Sequence, residues 1–175
     1  MSDDYLAMGV LWAPWRFTYL EKSNMKSGSC IFVDLPNEED DERNLILYRG
    51  TECFVMLNKY PYASGHLLIA PYQHTSEIEE LQDETLLEIN QVVGRCIAWL
   101  RFAYKPEGFN IGVNLGKSGG AGIPDHIHWH VVPRWDGDTN FMTVTASTRV
   151  IPQSLTDTYA KLKSAVETLG VKRLL

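Results

Sequence analysis

Short apolar blocks separated by turn residues fill much of the chain, and such blocks predict strands. Leu45–Tyr48 and Glu52–Asn58 flank Arg49-Gly50-Thr51 and read as a hairpin-like pair. Pro61 and Gly65 mark a turn over Lys59–Ser64, and His66–Ala70, closed by Pro71, reads as a buried strand. Gly108–Asn114 alternates, and Ile127–Pro133 follows as a further strand. From Asp83 the period changes. Leu86, Ile89, Val92, Val93, Cys96, Ile97 and Leu100 recur at intervals of three and four, one apolar stripe on a long helix in which Trp99 packs. Ser76 and Glu79 are spaced to cap a short turn ahead of it. Ser154–Leu169 predicts a closing amphipathic helix, with Ser154 and Asp157 at capping-box spacing and Gly170 at the stop. Clustered strands with interposed helices predict an α+β domain around a mainly antiparallel sheet.

Composition narrows the class. The 175 residues are 45% apolar and 22% charged, an ordinary globular mix for a single domain over 1–175. A chain of this size buries roughly two thirds of its unfolded surface and needs no staple. No apolar run is long enough to span a bilayer, and Met1-Ser2-Asp3-Asp4 lacks the basic and apolar regions of a signal peptide. Cys30, Cys53 and Cys96 are too few and too far apart for a disulfide framework, so reduced thiols in a cytoplasm are expected. The net charge of −6 divides into −8 over residues 1–104 and +2 over 105–175. That excludes the broad positive face that nucleic acid or an anionic membrane requires, while leaving room for a small anionic ligand in the second half. Asp34–Arg43, with six acids, reads as a solvated loop.

The chemistry concentrates in His126-Ile127-His128-Trp129-His130. The apolar residues between favour a strand, which would put His126, His128 and His130 on one face and Ile127, Trp129 and Val131 in the core. Successive imidazoles would then stand about 6.6–6.8 Å apart. A neutral imidazole is a competent nucleophile near neutral pH once its other nitrogen is held by an acceptor, and a neighbouring ring can donate to a leaving oxygen. Ahead of the histidines, Lys117-Ser118-Gly119-Gly120-Ala121-Gly122 offers a cation, a hydroxyl and glycines that let backbone amides approach an anion. Together these suggest phosphate chemistry. Two other readings use the same residues: a nucleotide-binding module without turnover, and a metal enzyme ligated by the histidines with Asp125 or Asp136.

These residues resemble the histidine triad (HIT) superfamily, whose mark is His-x-His-x-His followed by two apolar residues, matched here at 126–132. The resemblance extends to Asn58 through Pro71 with its Gly65-His66. Gly120–His126, Pro133-Arg134-Trp135, Gly137–Met142 and Leu11–Arg16 are similar to the bacterial and archaeal branch of dinucleoside polyphosphate hydrolases and phosphorylases. It covers roughly residues 10–145 and implies a five-stranded sheet. It implies that His128 attacks the α-phosphorus to form a nucleotidyl-histidine, with its ring oriented by a carbonyl near His126. His130 would donate to phosphate or the bridging atom. Water or phosphate would complete the reaction on a substrate such as a diadenosine polyphosphate. By position, Asn58 would meet the ribose, and Asn114, Lys117, Ser118, Gly119 and Gly120 the phosphates. Trp135 would edge the site and His66 would be a structural hydrogen-bonder. Family members pair as two-fold dimers, so a homodimer is expected. Some relatives hold zinc through Cys-x-x-Cys, a downstream histidine and the first triad histidine. Here the pair reads Cys30-Ile-Phe-Val33, leaving Cys30, His74 and His126 as three ligands. A closed site wants four, so no tightly bound metal or cofactor is expected, with a divalent cation accompanying the substrate at most.

Overall fold

A computed structural model describes residues 30–138, 151 and 153–170; Leu11–Arg16 and residues 139–142 of the resemblance lie outside them. Five antiparallel strands form one sheet in the order β1-β2-β3-β5-β4: β1 Ile46–Arg49, β2 Cys53–Leu57, β3 Leu67–Pro71, β4 Gly108–Val113 and β5 Trp129–Arg134. Among the described residues three α-helices accompany it: α1 Ile31–Asn37, α2 Asp83–Tyr104 and α3 Leu155–Leu169.

Alternation along the strands sends side chains to two differently built faces. Cys53, Val55 and Leu57 on β2 and Leu67 and Ile69 on β3 join Val131 under α2 and α3, whose Ile89, Val92, Cys96, Trp99, Leu100 and Leu162 complete that core. Phe54, Met56, Leu68 and Ala70 face the other way, with Ile46 and the Phe32 ring of α1. Thr85, rather than Leu86, holds the first buried place on α2, because the helix turns its 85–89–92–96 row squarely onto the sheet. The helix runs from Asp83 to Tyr104 and is capped by Lys105, whose φ of 48° and N–H bond to Arg101 O close the last turn. Ser154 caps α3 by accepting the Asp157 N–H. In the turn ahead of α2 Ser76 caps nothing: its hydroxyl donates to Glu77 Oε1, while the Thr75 hydroxyl accepts the Glu77 N–H.

Two expectations need correction. The acidic stretch is not wholly a loop. Its first residues belong to α1, opened by Val33 and Asp34 N–H bonds to Cys30 O. Arg49 ties that helix to β1 through Asp41 Oδ1 at 2.7 Å and the carbonyls of Pro36 and Glu38. The triad strand also begins later than expected. Pairing of β5 with β3 ends at Ile69–Trp129, so only His130 of the three histidines lies in the ladder. Beyond that point the Pro71 carbonyl is taken by an imidazole instead of a strand amide, and Ile127 N–H donates to Thr75 O at 2.7 Å.

Candidate active site

All five histidines gather at the β3–β5 end of the sheet through ring contacts. His128 and His126 are almost fully buried, at 4% and 1% exposure. His128 Nδ1 lies 2.8 Å from His126 O. A carbonyl only accepts, so Nδ1 carries the proton and Nε2 keeps its lone pair. The ring centroids of His128 and His130 are 5.0 Å apart and set edge to face at 61°. They stand closer than strand spacing predicts, because His128 precedes the ladder and its ring folds back onto its own chain.

His130 belongs to a second chain of hydrogen bonds. Gly65, at φ +81°, turns the chain into β3; a β-carbon there would meet Leu100 Cδ2 at 2.9 Å, so both conformation and space demand glycine. That turn buries His66 completely. The Tyr62 N–H donates to His66 Nδ1 at 3.1 Å, with Asn58 Nδ2 beside it at 3.3 Å. His66 Nδ1 therefore accepts, and Nε2 carries the proton that it donates to His130 Nδ1 at 3.0 Å. His130 in its neutral form must then hold its own proton on Nε2. Two rings in contact so present complementary atoms, a lone pair on one and an N–H on the other.

His126 is fixed at both nitrogens. Its Nε2–H donates to Pro71 O at 3.0 Å, and Nδ1 lies 3.3 Å from Cys30 Sγ. Burial pushes its pKa down to about 4, outweighing the upward pull of the Pro71 bond. Burial likewise pushes the Cys30 thiol up, so it is an S–H at neutral pH. Phe32 packs on His126 and His128 with centroid distances of 5.2 and 4.8 Å.

The expected substrate contacts divide. Asn58 sits beside His66, its Oδ1 accepting the Tyr60 N–H at 2.9 Å in a local turn. Asn114 directly follows β4 and reaches Gly120 O at 3.4 Å, tying the strand to the glycine loop. Lys117, Ser118 and Gly119 are exposed on that loop. A side chain at Gly119 would collide with Leu115 O at 2.3 Å. The Gly120 amide is not turned outward for a phosphate. With Gly120 at φ +85° the loop closes on itself, and that N–H donates to Lys117 O. Trp135 directly follows β5, and its indole N–H donates to Tyr104 O at the end of α2.

Among the described residues, the donor atoms that gather as a metal would need are those of Cys30, His74 and His126, within 4.8 Å of one another. The set does not fit a closed tetrahedral site: it has three members, and the thiol proton faces His126 Nδ1. His128 and His130 with Asp125 or Asp136 form no such group among those residues. Sequence reasoning missed Phe32, Tyr62 and Pro71. The Pro71 carbonyl had a signal, since proline closes the strand facing the histidines; Phe32 had none beyond its place after Cys30.

A family model described as the HIT domain matches residues 39–137. An AP-4-A phosphorylase of Mycobacterium tuberculosis is 40% identical over 155 residues, covering 85% of this chain and 79% of that protein. A bis(5'-adenosyl)-triphosphatase of Saccharomyces cerevisiae is 27% identical over 51% of this chain and 44% of its own. Among solved structures, a hypothetical histidine triad nucleotide-binding protein from Sulfolobus tokodaii superposes with a TM-score of 0.64 at 26% identity, over 80% of this chain and 93% of that one. A zinc-bound histidine triad family protein from Mycobacterium smegmatis gives 0.60 at 26% identity, over 71% and 85%.

Proposed function

This chain belongs to the histidine triad family, and from that premise we propose that it is a dinucleoside polyphosphate hydrolase or phosphorylase working through a nucleotidyl-histidine at His128. The single observation that carries the reading is the His128 Nδ1–H bond to the His126 carbonyl, which leaves the Nε2 lone pair as nucleophile. His128 Nε2 bonds to the α-phosphorus as the bond from phosphorus to the bridging oxygen breaks. The polyphosphate departs as an anion, its bridging oxygen accepting a hydrogen bond from His130 Nε2–H, whose position is supported by the His66 relay. Water or inorganic phosphate then attacks the phosphorus, the P–N bond breaks, His128 Nε2 regains its lone pair and the acceptor's proton leaves to solvent. Water releases a nucleoside monophosphate, and phosphate a diphosphate.

Asn58 meets the ribose in this reading, and Asn114, Lys117, Ser118 and Gly119 meet the phosphates. No tightly bound cofactor takes part, and a divalent cation enters only with the substrate's phosphates. The protein works in a cytoplasm as a homodimer. Among the described residues no helix is long and apolar enough to cross a membrane. Edge strand β4 with Ile111 at 46% exposure, and Phe102 on α2 at 54%, support a second copy extending the sheet.

Product analysis with diadenosine tetraphosphate tests the activity. With inorganic phosphate present a phosphorylase yields ADP and ATP; in its absence a hydrolase yields AMP and ATP. A radiolabelled adenylate trapped on the protein should be acid-labile and base-stable. No product under either condition defeats the reading, and sedimentation at micromolar concentration reports the dimer.

A further inference from the structure

We infer that a hydrogen-bonded strut, Cys30–His126–Pro71, does by itself the work of a structural metal, which makes Cys30 a positioning residue for His128. The inference rests on the reading of His128 as nucleophile.

Val33 N–H bonds to Cys30 O at 2.9 Å, one turn further on, so residue 33 holds the place of the second thiolate in a Cys-x-x-Cys pair. A valine there offers no ligand atom. The described residues gather Cys30, His74 and His126 alone, and His74 is exposed.

The polar atoms of the cluster already satisfy one another. Pro71 O can only accept, so His126 Nε2 carries the proton and Nδ1 the lone pair. The thiol 3.3 Å from Nδ1 is then the donor. A metal would have to displace that proton and the bond it makes, and would still hold three ligands among the described residues. Phe32 fills the space against the same ring and against His128.

The strut has a consequence for the reacting atom. A ring tied at both nitrogens allows the peptide at 126 one orientation, and its carbonyl is the acceptor that keeps the His128 proton on Nδ1. If the carbonyl swings away, part of the population carries the proton on Nε2, and the attacking lone pair is lost. A thiol-to-imidazole bond at one end of the strut and an imidazole-to-carbonyl bond at the other thus set a tautomer two residues away.

Imidazole nitrogen shifts from long-range proton–nitrogen NMR on the ligand-free full chain test this, beside zinc analysis of purified protein. Wild type should hold substoichiometric zinc after dialysis and show His128 as a single Nδ1–H tautomer. Cys30→Ala should show both His128 tautomers and lose about tenfold in kcat with KM within about twofold. Cys30→Ser keeps a donor and should restore the single tautomer and most of kcat. Val33→Cys completes four ligands and should retain about one zinc per chain. If Cys30→Ala fails to fold, the Ser and Cys variants and the wild-type spectrum still decide. One zinc per wild-type chain, a Val33→Cys chain with no zinc, or Cys30→Ala with unaltered His128 shifts and kcat would each overturn the inference. The tautomer is read without substrate, so a failure to cleave dinucleoside polyphosphates would defeat the activity and leave this test standing.

Discussion

The two faces of the sheet are built on different rules. Under α2 and α3 the contacts are apolar and non-directional: Val55, Leu57, Ile69, Val131, Trp99 and Leu162 need only fill space. On the opposite face His126, His128 and His130 are held by hydrogen bonds in which each ring nitrogen that is bonded has an assigned direction. A volume error on the first face costs stability. A reversed donor on the second costs chemistry while the fold survives. The comparison predicts that the two kinds of damage separate.

The sharpest break is His128→Ala, which should lower turnover of diadenosine tetraphosphate by about 10⁴-fold or more, roughly 5 kcal/mol in the barrier. Thermal unfolding should move little, because the ring's loss leaves the helix-side core untouched. Trp99→Ala is its mirror. Removing that buried indole should cost about 3–5 kcal/mol in urea unfolding, with kcat of the folded fraction unchanged.

Acid provides the third contrast. The folded pKa of His126, about 4, lies below the unfolded value near 6.5. The unfolded chain therefore binds the extra proton first. Stability from the neutral ring is fully present above about pH 6.5 and is lost as pH falls toward 4, to a total of about 3 kcal/mol. Urea midpoints measured between pH 7 and 4.5 should fall accordingly, and His126→Asn should flatten that slope. The smallest expected effect is His66→Phe, which keeps a buried ring but deletes the donor to His130. It should cost about tenfold to a hundredfold in kcat and shift the pH–rate profile, with KM nearly constant.

How much of this was legible in the residues varied with the range of the interaction. The long helix was legible because a 3.6-residue period survives in any environment; the place of Thr85 in the buried row was not, since it depends on how α2 is rotated over the sheet. The triad was legible as a motif, and the expected alternation carried Ile127 and Val131 into the helix-side core. The start of β5 was not legible, because Pro71 spends its carbonyl on His126 instead of on a strand amide. Trp135 looked like a site residue because it stands close in sequence. The fold gives its indole N–H to Tyr104 O at the end of α2.

Composition and pattern by themselves determined the α+β class, the two long helices, the five strands and the three histidines whose neighbours make them a unit. Those properties are local: they follow from periodicity, turn chemistry and residue type. Which nitrogen of each ring bears a proton was decided only by the folded chain. Pro71, His66 and Cys30 lie 55, 64 and 96 residues from the rings they bond, and a proton's position depends on the acceptor or donor that folding brings within about 3 Å.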